Sequence, residues 1–275
     1  MPEGPEIRLA ADRVATAVAG RVAREVFFAF TDLKPFEGEL RGRRVVEVTT
    51  RGKAMLTRFE GDLAVYSHNQ LYGRWYTMPA GRLPKTNRQL RFAVHGERRS
   101  ALLYSASEIE VLDPEGERHH PFLQRLGPDI LSQAPTVEGL TDRLLEKRFR
   151  GRQLGALLLD QGFVAGLGNY LRAEILFEAG LHPRRRAVDC DFDQLRLLAD
   201  RMITITRRAY DTRGITLPAE ISAELEAAGL TRSRRRHWVF GRGEEGCREC
   251  QAVIATAAVG GRNCFWCPAC QGEMS

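Results

Sequence analysis

Apolar positions at the start of the chain recur at helical spacing. Ile7, Ala11, Val14 and Val18 share one face, Pro5 suits a first turn and Gly20 suits a stop, so the pattern predicts a helix over 5–18. From about Val22 to Leu112 the pattern changes to short alternating or β-branched runs: 44–49, 54–59, 63–67, 74–78, 90–95 and 101–104. Gly61-Asp62 and Gly96-Glu97 punctuate them as turns. Many short, closely spaced strands indicate an antiparallel sandwich or barrel. The polar stretch from Asp113 to Pro121 holds two prolines and reads as a linker.

Helical periodicity then returns over 139–145, 153–160, 170–179 and 192–209. In the last of these, Leu195, Leu198, Met202, Ile205 and Ala209 form one apolar face. The stretch from Pro218 to Arg236 is poor in aromatics and ends in the charge run Arg232, Arg234, Arg235 and Arg236. It reads as a mobile loop, or a helix flanked by loop. The final segment is glycine-rich and too short for a core of its own, so it needs a staple. The layout is a β-rich domain, a helical domain and a small cysteine-rich appendage, with no internal repeats.

Composition narrows the classes. The 275 residues are 43% hydrophobic and 28% charged, which suits a folded chain and excludes a mostly disordered one. No apolar run approaches the roughly 18 residues of a membrane helix. Charges stand where a signal peptide would carry its apolar stretch, so secretion is not expected. Lys plus Arg total 41 against 35 Asp plus Glu, a net charge of +6 that fits a polyanion partner. Only Lys34, Lys53, Lys85 and Lys147 are lysines; the rest of the 41 are arginines. Genomic composition bias explains most of that skew.

Five of the six cysteines lie from Cys247 onward. Cys247 and Cys250 form one CxxC knuckle, Cys267 and Cys270 a second, sixteen residues later. That spacing predicts one structural zinc held by four thiolates in a β-hairpin finger. Cys264 and Cys267 also make a CxxC, so Cys264 is an alternative to Cys270. Pro268 inside the last knuckle favours Cys267 with Cys270.

Chemistry is also suggested elsewhere. Removal of Met1 would leave Pro2 as a free secondary amine, largely neutral compared with a lysine near pH 7. Such an amine forms iminium adducts with an opened sugar C1′. Glu3 is adjacent and Glu6 lies a helical turn further on, each able to transfer a proton or simply to cap the helix. Gly52 offers a turn before Lys53, which is either a pocket acid or phosphate clamp, or a surface residue. Gly166 and Gly168, just before a predicted helix, offer either an anion site at its N-terminus or a plain turn.

Together, MPEGPEI, RGKAMLT, YSHNQLYG, FLQRLGPD, GLGNYLRAEIL and RNCFWCPAC resemble the formamidopyrimidine-DNA glycosylase family of repair enzymes, in its endonuclease VIII branch. The likeness runs in order through nearly the whole chain. It implies an α+β protein: an N-terminal antiparallel β-sandwich with a leading helix (1–120), a helix–two-turn–helix domain (121–237) and a zinc finger (238–275). It implies a bifunctional glycosylase and abasic-site lyase that excises an oxidised base from double-stranded DNA and cuts the strand. By resemblance Pro2 is the Schiff-base nucleophile, Glu3 the acid assisting glycosidic cleavage and Glu6 its support. Lys53 matches the lysine of β-elimination, and Arg262 the finger arginine that grips phosphate and assists δ-elimination. Asn169 and Arg125 match DNA contacts, and Gln70, Leu71 and Tyr72 match the loop inserted into the duplex.

Two departures stand out. Cys264 lies where many relatives have a non-ligand residue. The stretch 214–237 is longer and differently composed than its counterpart, in a region that helps cover the flipped base. NQLY and PEGPEI favour oxidised pyrimidines as substrates. The same chemistry on oxidised purines is the alternative, and a non-catalytic DNA-binding module the third reading; Pro2, Glu3 and Lys53 argue against the latter. The expected protein is a cytoplasmic monomer with zinc as its sole cofactor.

Overall fold

The computed structural model describes residues 2–272. The chain divides into two units. One comprises 6–125 with the extreme N-terminus; the other comprises 126 onward together with 3–5.

In the first unit the leading helix α1 (Gly4–Val18) buries Ile7, Ala11, Val14 and Val18, the face predicted from spacing, and Gly20 follows in the left-handed region at φ +73°. Eight strands follow: β1 (Glu25–Phe28), β2 (Val45–Arg51), β3 (Ala54–Phe59), β4 (Ala64–His68), β5 (Arg74–Pro79), β6 (Leu90–His95), β7 (Arg99–Tyr104) and β8 (Glu108–Leu112). A short helix, α2 (Pro35–Leu40), separates β1 from β2. The strands make two antiparallel four-stranded sheets, ordered β1-β6-β7-β5 and β2-β3-β4-β8. One apolar core joins both: Phe28, Trp75, Phe92 and Leu103 from the first, Val45, Met55, Phe59 and Val65 from the second, with Val14 and Val18 of α1. Phe28 stacks on Phe92 at 4.8 Å and Trp75 meets it edge-on, the offset geometries aromatic pairs prefer. The two sheets therefore form a sandwich.

The expected linker at 113–121 is helical instead. Asp113 caps α3 (Pro114–His119) by accepting Gly116 N–H at 2.6 Å, and Pro114 and Pro121 occupy first turns, α4 being Pro121–Gln124. A proline at a helix start costs no hydrogen bond, so here it begins helices rather than preventing them.

The second unit is helical: α5 (Val137–Leu145), α6 (Leu154–Leu157), α7 (Asn169–Glu178), α8 (Phe192–Asp211) and α9 (Ala219–Ala227). Its core unites Leu140 and Leu144 of α5, Leu171 and Ile175 of α7, and Leu195, Leu198, Met202 and Ile205 of α8. The helix expected over 153–160 is only the single turn α6. After Leu158 the amides of Leu159 and Asp160 turn to carbonyls only three residues back, Ala156 and Leu157, and the α-helical ladder stops. The chain ends in an antiparallel hairpin, β9 (Ala255–Val259) and β10 (Arg262–Trp266), then α10 (Pro268–Gln271). Gly260 and Gly261 close it, both at positive φ, as a two-residue turn of this hand requires. No helix among the described residues is long and apolar enough to cross a membrane.

Candidate functional site

The first residues of α7 form a seat for Glu3. Its carboxylate accepts Tyr170 N–H at 2.8 Å and Leu171 N–H at 3.3 Å, two of the amides a helix start leaves without intrahelical partners. The helix dipole adds to the stabilisation of negative charge there. Glu3 is only 3% exposed. The N-cap position belongs to Gly168, where a β-carbon would stand 2.3 Å from the Glu3 carboxyl carbon. One turn earlier, Gly4 N–H donates to Gly166 O at 2.8 Å, and Gly166 has φ +101°. Gln161 holds this turn from inside, donating to Leu167 O and accepting from Gly166 N–H. The GLGN stretch is thus an anion site whose anion is the protein's own Glu3, and Pro2 is one peptide bond away. Glu6 is half-buried in the first turn of α1.

In the sandwich, Gly52 and Lys53 are the turn linking β2 to β3, with Gly52 at φ +60°. Lys53 is buried rather than solvated, and its charge reaches His68 at the end of β4. Directly after His68 the chain makes the turn that carries Gln70, Leu71 and Tyr72. Leu71 and Tyr72 are 61% and 68% exposed, a costly display for apolar side chains. Gly73 N–H closes the turn on Asn69 O at 2.7 Å, and a β-carbon at residue 73 would meet the Asn69 backbone at 2.6 Å. Gln70 takes φ +46°, held by its amide on His68 and by Ser107 Oγ donating to its side-chain oxygen. Arg125 is exposed, its Nε donating to Pro121 O at 2.9 Å.

Arg172, on α7, ties that helix to the terminal hairpin. Its guanidinium is fully buried and donates to the carbonyls of Gly155, Val259, Arg262 and Asn263 at 2.6–3.2 Å. Asn169 Nδ2 also donates to Asn263 O. Asn169 and Arg262 are therefore neighbours at the start of β10, and the Arg262 side chain is left exposed.

The thiols of Cys247, Cys250, Cys267 and Cys270 converge, all within 4.8 Å of one another. Pairs stand at 3.4 Å (Cys250–Cys267), 3.5 Å (Cys250–Cys270) and 3.9 Å (Cys247–Cys270). A tetrahedron of thiolates about 2.3 Å from a zinc has edges of about 3.8 Å, so the donor set fits that metal. Cys264 is buried in β10 opposite Ala257 and is not one of the four.

The stretch 214–237 folds around α9. Three arginines of its charge run bond back onto the protein: Arg232 to the Thr212 and Arg213 carbonyls, Arg235 to Ser222 and Glu226, and Arg236 to Gly214 O. The segment ends on a buried anion site that sequence reasoning did not find. Glu174 of α7 accepts Trp238, Val239 and Phe240 N–H and the Thr216 hydroxyl. Burial pushes its carboxyl up from the ordinary value, and these four donors pull the other way. Neighbouring His237 is pushed down to about 3 by burial and the charge of Arg236. The signal for Arg172 and Glu174 was present: opposite charges in the middle of NYLRAEILFE, a helix apolar between Asn169 and Glu178 except at these two positions.

Comparison with known proteins accords with this geometry. The family model of the formamidopyrimidine-DNA glycosylase N-terminal domain matches residues 1–107, and that of the family's H2TH domain matches 126–220. Endonuclease 8 of Pectobacterium carotovorum subsp. carotovorum (strain PC1) is 48% identical over 271 residues, covering 98% of this chain and 100% of the relative. Endonuclease 8 of Escherichia coli (strain K12 / DH10B) is 46% identical with the same coverage. Among solved structures, the MutM (Fpg) protein of Thermus thermophilus superposes with a TM-score of 0.79 at 31% identity, over 100% of both chains. Lactococcus lactis Fpg, in a complex with abasic-site DNA, shares the fold with a TM-score of 0.80 at 20% identity, over 98% of this chain and 100% of its own. The chain belongs to the formamidopyrimidine-DNA glycosylase family, in its endonuclease VIII branch, and is a DNA glycosylase and abasic-site lyase of base excision repair.

Proposed function

We propose that this enzyme excises oxidised pyrimidines from duplex DNA and cuts the strand by successive β- and δ-elimination through a Schiff base on Pro2. One observation carries the reading: the Glu3 carboxylate is locked on the α7 amides, one peptide bond from Pro2. A carboxyl fixed next to residue 2 stands where a nucleophilic amine at that residue needs proton transfer to the sugar.

Loss of Met1 frees the Pro2 nitrogen. Its lone pair attacks C1′ as the glycosidic bond breaks, and the departing base takes up a proton. Glu3, supported by Glu6, carries the proton that opens the sugar ring at O4′, leaving an iminium between Pro2 and C1′. The iminium acidifies the C2′ proton; its removal expels the 3′ phosphate, with Lys53 serving this step. Loss of a C4′ proton then expels the 5′ phosphate, held by Arg262, and water releases Pro2. Asn169 and Arg125 hold backbone phosphates without reading sequence. Gln70, Leu71 and Tyr72 fill the gap left by the extruded base. Cys247, Cys250, Cys267 and Cys270 hold a zinc that supplies structure to the finger and no open coordination position. The enzyme works as a cytoplasmic monomer, in three parts: sandwich, helical domain and finger.

A saturated pyrimidine is non-planar and stacks poorly, so its extrusion costs less than that of an intact base. Single-turnover rates on otherwise identical duplexes test the choice. Thymine glycol, dihydrouracil and 5-hydroxycytosine are expected to be released faster than 8-oxoguanine paired with cytosine. A clear preference for 8-oxoguanine would assign the enzyme to oxidised purines.

A further inference from the structure

His68 ends β4 immediately before the exposed turn, and its ring is 16% exposed. Its Nδ1 lies 3.2 Å from the Gln70 amide nitrogen. A backbone N–H can only donate, so Nδ1 carries a lone pair and the imidazole is neutral, its proton on Nε2. A second group waits at the same nitrogen. Glu108 Oε2, on the neighbouring strand β8, is 3.5 Å from Nδ1 and can only accept when ionised. Proton uptake at Nδ1 would set two N–H donors, His68 and Gln70, against each other and give His68 the Glu108 carboxylate instead.

Every packed element contributes to this balance. From β8, Glu108 favours the protonated ring; from the β2–β3 turn, Lys53 opposes it; burial opposes it most. Phe122 of α4 meets the ring edge-on at 5.2 Å and carries no charge. Further along the same face, His120 Nε2 is engaged with Glu110. Burial and Lys53 together hold His68 below the ordinary histidine value, so the ring is neutral at pH 7 and exchange belongs to the acid side of about 6.5. The Gln70 backbone needs this help. A non-glycine residue at φ +46° is held there at a cost, and the His68 acceptor and the Ser107 hydroxyl both anchor it.

We propose that His68 is a positioning residue for the Gln70–Leu71–Tyr72 turn, holding it ready for insertion while its ring is neutral and releasing Gln70 when Nδ1 takes a proton. The proposal rests on the reading of that triplet as the loop that fills the gap in DNA.

Two readouts separate the proposal from that reading. The first needs no DNA: imidazole nitrogen and Gln70 amide resonances are followed by NMR from pH 8 to 5. Nδ1 should be unprotonated at pH 7.5, and the Gln70 amide should shift with the same midpoint as the ring. His68→Gln, which has no acceptor at the Nδ1 position, should shift that amide at every pH. His68→Asn, which keeps an acceptor there, should retain it and abolish the pH response. The second readout is the insertion rate on a tetrahydrofuran-containing duplex with 2-aminopurine in the opposite strand. His68→Gln should slow it about tenfold at pH 7.5, the order expected for one lost hydrogen bond. His68→Asn should stay within about twofold of the parent and lose the decline at acid pH. A protonated Nδ1 at pH 7.5, or a Gln70 amide and insertion rate untouched by His68→Gln, would overturn the proposal. Leu71→Ala serves as the control: if it leaves the insertion signal unchanged, the gap-filling reading fails by itself, while the NMR result still decides the His68–Gln70 contact.

Discussion

Gly168 and Glu3 claim one volume: a β-carbon on residue 168 would lie 2.3 Å from the Glu3 carboxyl carbon and 2.5 Å from its Oε1. The glycine is what lets a side chain from the N-terminus reach the amides of α7. The relationship makes a backbone position part of the Glu3 seat without any chemistry of its own.

Gly168→Ala should therefore unseat Glu3 while α7 still forms, since residue 168 lies at the N-cap, outside the helix, with an extended backbone at φ −147° that alanine also adopts. Single-turnover base release should fall about a hundredfold or more, the usual worth of a positioned proton-transfer group. A thermal melt should show a folded protein. Parent-like excision by this variant would mean the seat is not required for the reaction.

The finger should depend on four thiols and not on the fifth. Cys267→Ser is expected to lose the metal and DNA binding, with the sandwich still cooperative on melting. Cys264→Ser should keep one zinc per chain by metal analysis, because its side chain lies in β10 outside the thiol cluster. Loss of zinc from Cys264→Ser with retention in Cys270→Ser would reverse the assignment.

Arg172→Met removes the donor that four carbonyls share. Asn263 O keeps the Asn169 amide, but depriving the other carbonyls of this buried donor costs stability, here about 3 kcal/mol. The hairpin start should loosen with it, so urea unfolding should reveal the loss and DNA affinity should weaken alongside it. An unchanged midpoint would show that water or a shifted side chain satisfies those carbonyls.

His237 gives the folded state a defined acid limit. Its pKa is depressed to about 3 by burial, so the unfolded chain takes up a proton near pH 6.5 that the folded chain refuses. That stability is fully present above about pH 6.5 and is lost as pH falls toward 3, amounting to about 2 kcal/mol by pH 5. Urea titrations at pH 7.5 and 5 should show the loss, and His237→Gln should reduce it. Equal pH dependence in both proteins would rule out this residue as the cause.

Much of the architecture is legible because burial imposes period. The α1 face, strands β3 and β6, and the α8 stripe fall where alternation or helical spacing put them. Two strands, Glu25–Phe28 and Glu108–Leu112, are not among the runs picked out within the β-rich stretch, and pairing across the sheet defines them. The 113–121 segment reads as a linker only if its prolines break helices, and here they start them. The thiol cluster follows from spacing up to the choice between Cys264 and Cys270, which Pro268 tips toward Cys270, the thiol found in the cluster. The Glu3 seat does not, because it joins residues more than 160 positions apart; Glu174 is visible as a charge in an apolar helix, but its partners are not, being mostly backbone amides that carry no mark in a sequence.

The proposed nucleophile is the Pro2 nitrogen. Borohydride reduction in the presence of an abasic-site duplex measures it directly. A covalent protein–DNA adduct is expected, placed on residue 2 by peptide mapping, and none from a variant that retains Met1. An adduct on Lys53, or undiminished trapping by the Met1-retaining variant, would contradict it.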